Sequence, residues 1–135
     1  MMIVGQHHIG IAVENLDAAL AVYRDQLGLE LDHIESVPDQ KLRVAMIPLG
    51  DETIELLEPT DDESPVAKFL AKKGEGFHHL ALEVRDLDAM LEQLKTRGVR
   101  LIDEEPREGA GGTRIAFLHP KAGRGVLLEL VENPS

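Results

Sequence analysis

The chain has 135 residues, 43% apolar and 29% charged, with a formal net charge of −11. That apolar share supports a packed core and excludes a disordered chain, while the acidity argues against nucleic acid or an anionic membrane, whose partners carry basic patches. There is no cysteine, so disulfides and thiol chemistry are excluded, as fits a cytoplasmic protein.

The N-terminal Met1-Met2-Ile3-Val4 runs straight into a first strand, and no signal peptide or membrane-spanning run is expected. Residues 6–13 read as a strand with His8, Gly10 and Ala12 on one face and His7, Ile9, Ile11 and Val13 on the other. Asn15 suits a helix N-cap, and Leu16, Leu20, Tyr23 and Leu27 form a helical stripe stopped by Gly28. Strands are expected at 29–37, 41–49 and 53–58, the last two joined by a turn at 50–52. Ser64-Pro65 opens a short helix that ends at Gly74.

The pattern then repeats. Residues 77–84 form a strand with His79 and Ala81 on one face. Asp86 caps a helix with the stripe Leu87, Leu91 and Leu94, ending at Gly98. Strands at 99–104, 113–118 and 126–131 follow, with a glycine-rich loop at 106–112 and a turn at 119–125. His8 and His79 are 71 positions apart, as are Asn15 and Asp86. Gly28 and Gly98 are 70 apart, and Glu55 and Glu129 are 74 apart. A half of about 65 residues would be marginal alone. The expected fold is therefore α+β: one domain of two tandem βαβββ modules, forming an eight-stranded cup-shaped sheet around a metal site. The first module takes residues 5–60, a linker helix 61–75, and the second module 76–132.

Each module places one histidine on its first strand and one glutamate on its last. Glu55 lies between Ile54 and Leu56, and Glu129 between Leu128 and Leu130. A strand carboxylate between two core-facing apolar residues points to the opposite face, and burying it unpaired costs several kcal/mol. A divalent ion removes that cost, and two His with two Glu form a mixed N/O set suited to Co, Ni, Mn, Fe or Zn. The candidate ligands are His8, Glu55, His79 and Glu129. For one strand histidine taken alone, an ordinary half-buried residue is the better reading; two at matched repeat positions, with two matched glutamates, strengthen the ligand reading. His7 and His78 alternate away from the ligand face, His33 reads as a solvated strand residue, and His119 as a turn residue.

The paired modules, with His-Ile-Gly-Ile-Ala-Val at 8–13, His-Leu-Ala-Leu-Glu-Val at 79–84 and a Glu in each closing strand, resemble the vicinal oxygen chelate superfamily (glyoxalase, bleomycin resistance and dioxygenase proteins). The stretches 54–59, 62–70, 76–79, 103–107 and 117–130 look like the methylmalonyl-CoA epimerase family. The resemblance implies an isomerase whose metal, cobalt first among the candidates, is held by His8, His79 and Glu129, with a further ligand at Glu55. It also implies a homodimer. Some family members carry Gln at the Glu55 position and a Glu, proposed as a base, where this chain has Val44. Valine cannot take a proton, so Glu55 becomes the better candidate for the base.

The implied reaction interconverts (R)- and (S)-methylmalonyl-CoA. One carboxylate removes the α-proton to give a metal-stabilised enolate, and a second acid returns a proton to the opposite face. Glu55 and Glu129 are the candidate pair. Arg107, Arg114, Lys121 and Arg124 cluster near the last loops and are candidates for the CoA anions; surface solubility is the plainer reading of each alone. Rivals on the same scaffold are a glyoxalase I-like isomerase (lactoylglutathione lyase) and an iron dioxygenase, the latter weakened by Glu55 filling a position expected open. A metal-free small-molecule-binding resistance protein is the non-enzymatic rival. It needs an aromatic-lined cup, and only 3% of residues are aromatic.

Overall fold

A computed structural model describes Met2–Ser135. The strands are β1 Ile3–Ala12, β2 His33–Val37, β3 Leu42–Leu49, β4 Glu52–Pro59, β5 Gly76–Val84, β6 Arg107–Glu108, β7 Arg114–Phe117 and β8 Leu128–Glu132. The helices are α1 Leu16–Leu20, α2 Pro65–Lys73 and α3 Leu87–Thr96. The α+β character and the two βαβββ modules agree with the sequence pattern. The chain divides into two compact units, one running from His8 to His78, the other joining residues up to His7 with His79–Ser135.

In the His8–His78 unit the strand order is β2-β3-β4-β1. β4 is antiparallel to β3 and parallel to β1. Helix α1 starts where two acceptors meet its free amides: Ala18 N–H donates to Asn15 Oδ1 at 2.9 Å, and Leu16 N–H to Glu58 Oε2 at 2.9 Å. A carboxylate there also opposes the positive end of the helix dipole. Arg43 braces Glu58 at 3.0 Å. Leu16 and Leu20 pack on Val13, Ala45, Ile47 and Leu56.

Two expectations fail in this unit. Beyond Leu20 the helix widens into a π-helical turn, Ala21–Gln26. The wider turn rotates Leu27 off the apolar stripe, and it is 63% exposed. The second strand starts at His33 instead of residue 29. The Leu29 amide is bonded back to the Tyr23 carbonyl at 3.1 Å, and the ladder to β3 opens only at His33 opposite Met46.

In the other unit the order is β5-β8-β7-β6, with β5 parallel to β8. Helix α3 is capped by the same device: Glu132, 74 positions after Glu58, accepts from Leu87 N–H at 2.8 Å and is braced by Arg114 at 3.2 Å. Asp86 accepts from Ala89 N–H. Leu87, Met90, Leu91 and Leu94 pack on Val84, Ala116, Leu118 and Leu130.

The expected strand at 99–104 is absent. That stretch makes one isolated bridge, Leu101 to Leu118. The short strand β6 lies instead at the start of the expected loop. Asp103 explains the shift. Its Oδ2 accepts from Phe117 N–H at 2.9 Å, and the Phe117 carbonyl accepts from both the Ile102 and Asp103 amides. A side chain occupies the ladder there, and regular pairing resumes at Arg107 opposite Ile115.

The turn between β7 and β8 depends on Gly123, where an added Cβ would stand 2.2 Å from the Val126 carbonyl oxygen. Gly123→Ala should therefore cost about 1–3 kcal/mol in urea unfolding. Gly5→Ala, with nothing within 4 Å of its Cβ, should stay within about 0.5 kcal/mol. Equal effects would contradict this account of the turn.

Candidate functional site

Register places one histidine and one glutamate together in each unit by the same rule. In the first, Glu55 lies opposite Gly10 on the parallel strand β1. His8, two residues before Gly10, is on the same face. Its Nδ1 stands 3.3 Å from Glu55 Oε2, with His8 4% and Glu55 7% exposed. In the second, Glu129 lies opposite Ala81. His79, two residues before Ala81, puts Nε2 2.9 Å from Glu129 Oε1, and both residues are buried. Glycine and alanine at the intervening position leave room for the imidazole to reach across. The apolar neighbours Leu56 and Leu130 face the other way and pack against α1 and α3.

The antiparallel neighbours differ. Met46 lies opposite Glu55, and Phe117 opposite Glu129. The Phe117 ring meets the His79 ring edge-on, centroids 5.6 Å apart at 86°. Over Phe117 lies the Arg107 guanidinium, 5.8 Å from the ring centroid. Arg107 Nε is held by Asp103 Oδ1 at 3.1 Å.

The donor chemistry fits a divalent metal. Two donors of one first-row ion, each about 2.1 Å from it, stand roughly 3–3.4 Å apart. The separations within the pairs, 2.9 and 3.3 Å, agree with that value. Imidazole and carboxylate together suit a borderline ion.

The four candidate substrate cations have different surroundings. Arg107 shares a face with Ile115, Phe117 and Glu129. Arg114 lies on the opposite, helix-packed face, in ion pairs with Asp88 and Glu132, like Arg43 beside Glu58. Lys121 and Arg124 are exposed in the turn before β8. Among the other histidines, His7 Nε2 is 2.8 Å from Asn133 Oδ1, and His78 meets the Phe69 ring edge-on at 4.9 Å. His119 accepts from Lys121 N–H through Nδ1; desolvation, then Arg100 and Lys121, hold its pKa below the usual histidine value. Buried Val44 lies in register with Leu57 and Glu35, on the same face as Glu55. Asp103 and Phe117 escaped the sequence reading. Their signal was the period-two row Ile115–Phe117, which is visible only once β7 is registered against β8.

His33 is braced on both nitrogens, by Asp32 at 2.6 Å and Glu35 at 2.8 Å. The hydrogen bond to Glu35, then that to Asp32, raises its pKa.

Over residues 7–117 the chain matches the family model described as the Glyoxalase/Bleomycin resistance protein/Dioxygenase superfamily. It is 46% identical to an uncharacterized Bacillus subtilis protein, YqjC, covering 93% of this chain and 89% of that one. It is 43% identical to the ethylmalonyl-CoA/methylmalonyl-CoA epimerase of Cereibacter sphaeroides, covering 92% and 94%. Among solved structures it is similar to methylmalonyl-CoA epimerase from Mycobacterium tuberculosis, at 45% identity, 99% and 91% coverage and a TM-score of 0.94. It is also similar to a methylmalonyl-CoA epimerase in complex with methylmalonyl-CoA and NH4+, at 43% identity, 98% and 96% coverage and a TM-score of 0.92.

Two outcomes are expected. In metal-free protein, His79→Leu removes the imidazole beside a buried carboxylate and should cost about 3–5 kcal/mol by urea unfolding. The double variant His79→Leu/Glu129→Leu should be less destabilised than the single one; a larger loss in the double would contradict the pairing. For His33, the folded pKa is raised, so its stabilisation is present below the unfolded value and fades as pH rises through the folded one. NMR titration should find His33 above 6.5, and Glu35→Gln should bring it back toward that value.

Proposed function

We propose that this chain, a member of the Glyoxalase/Bleomycin resistance protein/Dioxygenase superfamily, is an isomerase that interconverts (R)- and (S)-methylmalonyl-CoA. The observation that carries the reading is the buried imidazole–carboxylate pair repeated by register in both modules. The relatives and similar structures named epimerases support the substrate.

The family implies a divalent metal, and we assign its ligands to His8, Glu55, His79 and Glu129, with cobalt as the preferred ion. When bound, the ion supplies Lewis acidity, drawing charge from the thioester oxygen as the α-proton leaves. The protein supplies the proton transfers. The α-C–H lies between a thioester and a carboxylate, so it is already acidified. One glutamate enters as the carboxylate and takes the α-proton on one face, Glu55 being the better candidate; the other, Glu129, enters protonated and gives its proton to the opposite face, and exchange with solvent resets the two. An ion held at these oxygens would lower their basicity, so the glutamate less tightly engaged would be the stronger base. Val44 offers no proton acceptor, which leaves this work to the two glutamates.

Of the cations in the last loops, Lys121 and Arg124 are assigned to the CoA anions, since Arg107 and Arg114 are already held by carboxylates. The proposal includes a cytoplasmic location and a homodimer, which the family resemblance supports.

Incubation with methylmalonyl-CoA in D2O, followed by NMR of the α-proton, tests the assignment. Metal-loaded protein should exchange that proton with loss of stereochemistry, and EDTA-treated protein should not. Glu55→Gln and Glu129→Gln should each lower exchange by at least about a hundredfold. The variant that retains metal identifies the glutamate acting mainly in proton transfer. Lys121→Ala and Arg124→Asn should raise KM with kcat nearly unchanged. No exchange with any of Co, Mn, Ni, Zn or Fe would overturn the epimerase reading and direct the assay to a glutathione hemithioacetal.

A further inference from the structure

We propose that Arg100, His119 and Lys121 form a subsite for the terminal 3′-phosphate of a CoA ester, on the face of the second module that carries Glu129. The inference rests on the CoA reading of the substrate and adds to it the groups that take the nucleotide end.

Register brings the three residues together. The isolated bridge from Leu101 to Leu118 sets Arg100 beside His119, and the His119 amide donates to the Arg100 carbonyl at 3.0 Å. Neighbours across such a bridge project to one side of the sheet. Leu118 is buried in the α3 core, with Leu101 packed against it, so Arg100 and His119 project to the other side. His119 follows Ile115 and Phe117 at steps of two, on the face that Phe117 shares with Glu129. Lys121 joins through the turn, where its amide donates to His119 Nδ1 at 3.1 Å. That bond fixes the tautomer: Nδ1 accepts, so the ring proton is on Nε2, the nitrogen directed away from the turn. Desolvation, then Arg100 and Lys121, holds the imidazole pKa below the ordinary histidine value. At neutral pH His119 is therefore an uncharged donor with two cations acting on it.

The cluster is an exception to the charge pattern of the chain. A net charge of −11 repels a polyanion, so a phosphate needs a local reversal of sign. Arg24, Lys41, Arg43, Lys95, Arg107 and Arg114 each lie beside a carboxylate. Among the described residues, Arg100 and Lys121 make no ion pair. Like charges gathered without a counterion repel, and an anion relieves that repulsion. The donor set favours a phosphomonoester. Its dianion offers three terminal oxygens at neutral pH, one for each of the guanidinium, imidazole and ammonium donors. A phosphorus of the CoA diphosphate offers fewer terminal oxygens and less charge.

Isothermal titration calorimetry of the full chain with methylmalonyl-CoA and with its 3′-dephospho analogue tests the subsite. Wild-type protein should bind the CoA ester about tenfold more tightly, since exposed ion pairs each contribute a factor of a few. Arg100→Ala and Lys121→Ala should each reduce that preference to about threefold, and the double variant should abolish it. His119→Asn keeps an acceptor for the Lys121 amide and loses the Nε2 donor, and should lower the preference roughly twofold. All of these variants should bind the dephospho ester as wild type does. Lys72→Ala, which removes an exposed cation on α2, should keep the full preference. The NMR line of His119 Hε1 should shift with the CoA ester and not with the dephospho ester. A preference that survives the double variant, equal losses on both esters, or the same loss in Lys72→Ala would overturn the subsite while the CoA reading stands. A wild type that binds both esters equally would do the same. A wild type that binds neither ester would remove the CoA reading itself, and the subsite with it.

Discussion

A carboxylate withdrawn from water must be compensated, and each module of this protein is built around one that has been withdrawn. Glu55 and Glu129 are 7% and 4% exposed, and each meets an imidazole equally buried. Desolvation of a lone carboxylate costs several kcal/mol, so the pair cannot be separated without cost. Its geometry depends on the sheet register. The register places a glycine or alanine beside the glutamate, and the strand's period of two places the histidine on the same face two residues earlier. A one-residue slip would send both groups to the helix side, where Leu56 and Leu130 now pack.

A second carboxylate on each closing strand does different work. Glu58 and Glu132 follow Glu55 and Glu129 by three positions, an odd step, and therefore face the helices. There they accept the first helical amides, from Leu16 and Leu87, and are braced by Arg43 and Arg114. The same short sequence, Glu-x-x-Glu, thus serves both the buried His–Glu face and the helix start. This explains why the duplication preserved the whole segment and not only the buried glutamate. It also explains Arg114, whose matching partner Arg43 has the same capping brace in the other module.

Much of this was legible in the sequence because it is local or repeated. Alternation of apolar and polar residues located the first and last strands of each module, and Asn15 and Asp86 marked the helix starts. The repeat singled out His8, His79, Glu55 and Glu129. What was not legible depended on competition between backbone and side chain. The π-helical turn that exposes Leu27 leaves no mark in an apolar stripe. The missing strand at 99–104 reflects Asp103 taking the Phe117 amide, a long-range contact that strand propensity does not encode. Arg107, Arg114, Lys121 and Arg124 looked alike as a cluster of charge. The structure separates them by face and partner, because charge in a sequence does not say which side of a strand it occupies.

Duplication supplies two copies of one imidazole–carboxylate pair, while the proposed reaction asks two carboxylates for opposite acts, one accepting a proton and one donating. Identical surroundings would give them identical basicity and leave no preference between the directions. The neighbours are where the copies differ. Glu55 sits between glycine and methionine, and Glu129 between alanine and a phenylalanine held under an arginine. A flexible thioether leaves its neighbour free to move, whereas a stacked ring restricts it. An epimerase must run in both senses with similar ease, so a strong asymmetry would hinder it. Unequal freedom of the two carboxylates, with equal chemistry, lets one move more readily while keeping both competent for the proposed proton transfer.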